Sequence, residues 1–338
     1  MARLITSSST GALQACPKYY HLKHIELLQA KDKADALLMG TAFHSCIEAW
    51  RLAQAKDSVI PLENAQAALN ELVLDRDHRC KLDAMLAAYN EHHYMEQWRY
   101  NAIEFDFRVS LSPAEIAHPA KNYNLAGVID ALVQLDSDRI AIVETKTTAK
   151  IDQSYIDSLW SARQTQLYWI ALERLGMRVD CVIYDVIEKP KTRRKKATPP
   201  DLLKYKKDGT LYATCRMEDE HDEAFIDRIR EWYREHPDAI QRFEIRYTRD
   251  ELKAMESDLL DVAVELDFRE TLNVWPRALS SCYRLGRRCE FTPYCGSGGN
   301  PIILESHFEK GESAHSELKQ LENDNDSGQS EKSERPTF

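Results

Sequence analysis

No apolar run in this sequence approaches the ~18 residues that a bilayer-spanning helix needs. The opening MARLITSSSTGALQAC also lacks the continuous apolar centre of a signal peptide. The expectation is a cytoplasmic protein with no membrane partner. Glycine is scarce, 11 residues in 338, and no G-x-x-x-x-G-K-[ST] string occurs, which excludes a P-loop ATPase or helicase motor in this chain. A basic excess is missing too. The formal net charge is -10, which at first argues against a nucleic-acid partner. Residues 305–338, however, hold nine acidic and four basic side chains and so carry -5 of that charge, and whole-chain charge is a poor guide to local potential.

What is present is ordinary for a folded protein. Hydrophobic residues make up 43% and charged residues 30%, away from collagen-like, coiled-coil and wholly disordered compositions. The length allows one large domain or two modest ones. Residues 1–100 read as a mostly helical region: Ser7 to Thr10 form an N-cap cluster, a short helix ends near Cys16-Pro17, and Leu37 to Ala55 has helical periodicity. The texture then changes. Ala102 to Val109, Tyr123 to Leu135 and Arg139 to Lys146 are short, rich in β-branched and aromatic residues, and joined by turns, as in an antiparallel meander. A helix from Tyr155 to Leu175 and an apolar strand from Val179 to Ile187 follow, giving an α/β order. Lys189 to Asp208, dense in Lys and Arg, reads as an exposed loop, with a strand near Leu211 to Arg216 and helices near 218–235 and 248–270 after it. Residues 301–338 are expected to be a disordered acidic tail.

The chemistry concentrates in Gly127-Val-Ile-Asp130, a turn, and Glu144-Thr-Lys146. Side chains alternate along a strand, so Glu144 and Lys146 project together, and a hairpin partner brings Asp130 beside them. Two carboxylates on rigid strands are hard oxygen ligands for Mg²⁺ or Mn²⁺, and a neighbouring ammonium can position water or stabilise phosphate charge. An isolated E-x-K is ordinarily a salt bridge on a solvated face; the apolar flanks of both strands make that less natural here.

With Gly40-Thr-Ala-Phe-His44 before these motifs and Gln164-Thr-Gln-Leu-Tyr168 after them, the order G-x-x-x-H, G-x-x-D, E-x-K, Q-x-x-x-Y resembles the RecB-like branch of the PD-(D/E)XK nucleases. Ile129 stands where the superfamily's name has Pro. The resemblance implies a restriction-endonuclease-like core, residues 101–300, with a central mixed sheet flanked by helices. It implies that His44, Asp130 and Glu144 bind Mg²⁺ or Mn²⁺ and that Lys146 assists the attacking water. Gln164 and Tyr168 then contact the substrate strand or brace the site, and Tyr168 suits a core aromatic equally well. The implied activity is a DNA exonuclease working on single-stranded or resected ends in recombination or repair, most similar to phage and prophage enzymes. A helicase or single-strand annealing protein is the implied partner. A non-catalytic DNA-binding module is the alternative, though the catalytic set is intact.

Eight cysteines in a reducing compartment raise metal ligation and burial ahead of disulfides. Cys282, Cys289 and Cys295 fall within fourteen residues, and no C-x2-4-C pair of the kind structural zinc prefers is present. With Cys16, the trio resembles the arrangement by which AddB-type and CRISPR-associated exonucleases hold a [4Fe-4S] cluster, though the six-residue gap before Cys289 is longer than theirs. The resemblance implies an iron–sulfur clamp joining the two ends of the chain, with Zn²⁺ as the competing occupant. The basic loop, with Tyr205 and Tyr212, suits either a phosphate track with stacking aromatics or a solvated surface.

Overall fold

The computed structural model describes residues 3–31, 35–56, 58, 60–96, 98–112, 119–135, 138–284 and 287–311. In chain order the elements are β1 (Arg3–Ile5), α1 (Ser7–Ala15), α2 (Pro17–Tyr20), β2 (Leu28–Ala30), α3 (Asp35–Ala55), α4 (Pro61–Glu71), α5 (Arg76–His93), β3 (Arg99–Ser110), β4 (Tyr123–Gln134) and β5 (Ile140–Thr148). They continue with α6 (Gln153–Trp160), α7 (Arg163–Arg174), β6 (Cys181–Glu188), α8 (Asp222–Glu235), β7 (Ile240–Ile245) and α9 (Arg249–Leu272). A terminal group follows: β8 (Tyr283–Arg284), β9 (Arg287–Arg288), α10 (Thr292–Gly296), α11 (Pro301–His307) and β10 (Phe308–Lys310).

The main sheet is mixed. β3, β4 and β5 form the antiparallel meander, β5 and β6 run parallel with α6 and α7 between them, and β7 closes the far edge antiparallel to β6. The three residues of β1 join parallel to the start of β4. β5 pairs with β4 only from Ala131↔Val143 outward, so the two strands diverge at Asp130 and Glu144. That divergence opens the sheet where the charged residues sit.

Helices cover both faces. Ile142, Val182, Tyr184 and Val186 pack with α1, α7 and α9 in one core, while α3, α4, α5 and α8 form a second core that reaches the sheet at Ile187 and Ile240. This is the α/β architecture expected from the order of elements. Among the described residues no helix is long and apolar enough to cross a membrane.

Three expectations need correcting. The helix expected over 155–175 is two helices, because Ser158 and Ser161 bond back to the carbonyls of Tyr155 and Ser158 and Thr165 to that of Ala162, competing with the helical ladder at the joint. The strand expected at 211–216 is only an isolated bridge, Tyr205↔Leu211, around an Asp208-Gly209 turn. The tail expected to be disordered from 301 begins as structure, for Asn300 caps α11 and β10 pairs antiparallel with β2. Residues 312–338 lie outside the described residues.

Candidate active site

The splayed strands bring the six expected residues into one connected region. Asp130 ends the free edge of β4, and its Oδ2 accepts the Thr145 backbone N–H of β5 at 2.7 Å, filling the gap that the diverging ladder leaves. His44, one face of α3, places Nδ1 3.4 Å from the same oxygen. Glu144 is 1% exposed. Its Oε1 accepts from Lys146 Nζ at 2.6 Å, and Lys146 also donates to Gln164 Oε1 at 2.8 Å. Gln164 Nε2 in turn donates to the Tyr168 hydroxyl at 2.8 Å, one turn further along α7. Both Gln164 and Tyr168 therefore act on Lys146 from behind, and Tyr168 is buried.

Gly127 makes this packing possible. A Cβ there would stand 2.8 Å from Tyr168 Cε1 and 3.0 Å from Phe107 Cζ, so only a residue without a side chain lets the two rings close over β4. Beside them lies a pocket of about 210 Å³, lined by Gln164, Tyr168 and the Thr6, Ser7 and Ser8 start of α1.

Charge divides the two carboxylates. Burial opposes ionisation of Asp130, but His44, the Arg51 charge and the Thr145 amide outweigh it and hold Asp130 below the ordinary carboxylate range. Burial, reinforced by the Asp130 charge, pushes Glu144 up despite Lys146. Burial likewise works against the cationic forms of Lys146 and His44, yet Glu144 and Asp130 respectively raise both. Carboxyls pushed apart in this way take different roles.

Glu144 Oε2 is buried and has no hydrogen-bond partner among the described residues. An orphaned carboxylate oxygen costs free energy that a cation relieves. Together with Asp130 and an imidazole, this donor set suits a hard divalent ion. Among the described residues no three His, Cys, Asp or Glu side chains stand close enough to hold a metal ion as placed. At this site Glu144 bonds Lys146, and His44 pairs with Asp130.

Four further residues escaped the sequence reading. Glu104 lies across from Asp130, between the pairs Ile103↔Ala131 and Phe105↔Ile129, with φ +50°, a conformation rare for a non-glycine residue. Partial desolvation, then the charges of Asp130 and Glu48, push Glu104 up to about 7. The i+4 spacing of Glu48 from His44 is a signal that went unread; nothing in the sequence marks Glu104. Arg51 and Thr145 are buried and bonded to each other at 2.8 Å.

The four cysteines expected to hold a cluster share one cavity, although no three of them stand close enough to hold a metal ion. Cys16, Cys282, Cys289 and Cys295 line a mainly apolar cavity of about 220 Å³, with Tyr19 and Arg277 on its wall. The Ala278 N–H points at Cys16 Sγ, 3.3 Å away. Burial first raises Cys289 and Cys295; neighbouring thiolate charge adds to both, and the Phe291 backbone works against it at Cys289. Phe291, Phe308, Leu22 and Leu28 form a small core beneath them, which β2 and β10 close. Of the other four cysteines, all expected to be buried small hydrophobes, Cys46, Cys80 and Cys181 are buried, whereas Cys215 is half-buried and lies outside any helix or strand. The helix α1 joins the two regions: its first residues line the pocket beside Tyr168 and its last line the cysteine cavity.

The basic loop is only partly solvated. Arg194 is buried and pinned by Asp77 at 2.6 Å and Asp222 at 2.7 Å, whereas Lys191 and Lys196 stay largely exposed, as do Tyr205 and Tyr212.

An open, mixed sheet carrying D…E-x-K at its splayed strands defines a nuclease-like class of fold. The sequence pattern of the PD-(D/E)XK nuclease superfamily matches residues 5–296, and the chain belongs to that superfamily. No curated protein matches the chain by sequence.

Proposed function

We propose that the protein is a Mg²⁺- or Mn²⁺-dependent deoxyribonuclease. The observation that carries this reading is the buried Glu144 carboxylate, with one oxygen on Lys146 and the other without a partner among the described residues, beside an Asp130 held in its ionised form. Asp130, Glu144 and His44 are the residues that would hold the cation. When bound, such an ion supplies Lewis-acid polarisation of a phosphoryl oxygen and an activated water.

The chain's own side chains do the rest. Lys146 is cationic and so donates rather than accepts a proton; it orients the attacking water or steadies the charge that builds on the phosphate. Gln164 fixes the ammonium by its carbonyl, and Tyr168 fixes Gln164, so both are bracing residues. The exposed lysines of the 189–207 loop and Tyr205 and Tyr212 suit a phosphate backbone with unpaired bases. Exonuclease action on single-stranded or resected ends, in repair or recombination beside a helicase or annealing partner, follows from the RecB-like resemblance.

The cysteine cavity is read as the seat of a [4Fe-4S] cluster clamping α1 to the terminal segment. What supports it is that all four thiols line one mainly apolar cavity between the end of α1 and the terminal segment. The role assigned is structural, with binding energy serving as folding energy.

Incubation of anaerobically purified protein with end-labelled single- and double-stranded DNA, in Mn²⁺ or EDTA, tests the reading together with an iron assay. Expected are Mn²⁺-dependent loss of label from single-stranded ends and about four irons per chain. Intact DNA in every Mn²⁺ condition would overturn the nuclease, and zinc in place of iron would overturn the cluster.

A further inference from the structure

Behind the carboxylates, on the face of β5 away from Lys146, lies a buried ionic group that this chemistry does not use. Asp185 of β6, 1% exposed, accepts from the Tyr89 hydroxyl at 2.5 Å and Arg242 Nε at 3.2 Å, and has His93 Nε2 at 3.5 Å. Arg51 of α3, 2% exposed, completes the group.

Its placement is informative. A buried guanidinium ordinarily takes its best geometry from a carboxylate. Here Arg51 Nη2 stands 3.4 Å from Asp185 but 2.8 Å from the hydroxyl of Thr145, and its Nε has no partner among the described residues. The side chain is thus held for Thr145 at some expense to its own pairing. Thr145 is fully buried between Glu144 and Lys146, and its N–H is the 2.7 Å donor to Asp130 Oδ2. His44 and Arg51 are seven residues apart, two turns of α3, so one helix face meets Asp130 from both sides: directly through His44 and indirectly through Thr145.

We propose that Arg51 is a positioning residue of the cation site: through the Thr145 hydroxyl it fixes the Thr145 amide, which holds one Asp130 oxygen and leaves the other aimed at the ion. The proposal rests on Asp130 being a cation ligand. The Asp185 group, anchored on α5, β6 and β7, is the fixed base against which Arg51 leans.

Mn²⁺ binding to the full chain, followed by calorimetry without DNA, separates the two claims. Thr145→Val keeps the shape, the strand preference and the amide and removes only the hydroxyl. Expected are binding by the wild type, none by Asp130→Asn, and about tenfold weaker binding by Thr145→Val, the loss of one charge-assisted hydrogen bond. Thr145→Ser should return to within about twofold of wild type. Arg51→Lys should weaken Mn²⁺ in the wild-type chain yet add less than about twofold in the Thr145→Val chain, because both act through one bond. A merely structural role would lower the melting temperature in EDTA and leave the affinity of the folded chains unchanged. Wild-type affinity in Thr145→Val, equal weakness in Thr145→Ser, or full additivity with Arg51→Lys overturns the positioning role while Asp130→Asn still vindicates the site. Absence of Mn²⁺ binding in the wild type overturns both claims.

Discussion

Replacing Gly127 by alanine should disturb the site without touching any charged group. The new methyl would stand 2.8 Å from Tyr168 Cε1, about 0.6 Å inside the 3.4 Å at which ordinary contact begins, and 3.0 Å from Phe107 Cζ. Neither ring is a free end. Both are buried and meet edge to face with centroids 5.6 Å apart, so relief requires movement of packed core. Overpacking of this size costs about 1–3 kcal/mol. The ring that moves also carries the hydroxyl that holds Gln164, so Lys146 loosens and cleavage should fall about tenfold, the equivalent of one neutral hydrogen bond. Urea unfolding with an unchanged slope reads the stability, and a labelled-DNA assay at saturating Mn²⁺ reads the rate. Phe107→Leu in the same chain should restore part of the stability by giving the methyl room. A Gly127→Ala protein as stable and active as wild type would mean that Tyr168 does not close over β4, and its bracing role would fall.

Two further outcomes concern the buried carboxyl and the cysteines. Glu144 is pushed up to about 7, chiefly by burial, so the folded chain binds that proton more tightly than the unfolded chain does. Its contribution is therefore present below the ordinary carboxylate pKa and is lost as pH rises through about 7; melting in EDTA should decline from pH 5 to 8, and Glu144→Gln should flatten that decline. Cys16→Ser should lose iron and lower the melting temperature by the several degrees that correspond to about 2 kcal/mol in a chain of this size, with Cys46→Ser as a control that keeps its iron.

How much was legible beforehand depended on whether a role belongs to a local pattern or to a tertiary approach. Asp130, Glu144 and Lys146 were visible because strand alternation and a hairpin partner place them side by side, whereas His44, Gln164 and Tyr168 were expected only through the resemblance to the RecB-like motif order; the structure sets His44 against Asp130 and links Glu144, Lys146, Gln164 and Tyr168 by hydrogen bonds. β5 and β6 were equally plain from their apolar runs. β1 was not, since three residues carry no period, and β7 was missed because its alternation is half exposed. Arg51 carries no mark in the sequence; only the packing of α3 against the sheet buries it. Glu104 adopts a left-handed conformation that no glycine or asparagine announces. Arg194, one cation in a run of many, is selected for burial by Asp77 and Asp222 from two distant helices.

Lys146→Met gives the sharpest comparison. The thioether fills the same space and removes the ammonium that Glu144 and Gln164 share. If these side chains form a hydrolytic centre, Mn²⁺-dependent release of end label from DNA should fall by at least about a hundredfold, while far-UV dichroism and iron content stay at wild-type values. Cleavage at the wild-type rate by folded Lys146→Met would contradict the assignment, and the residues around it would have to be read as a structural salt-bridge network.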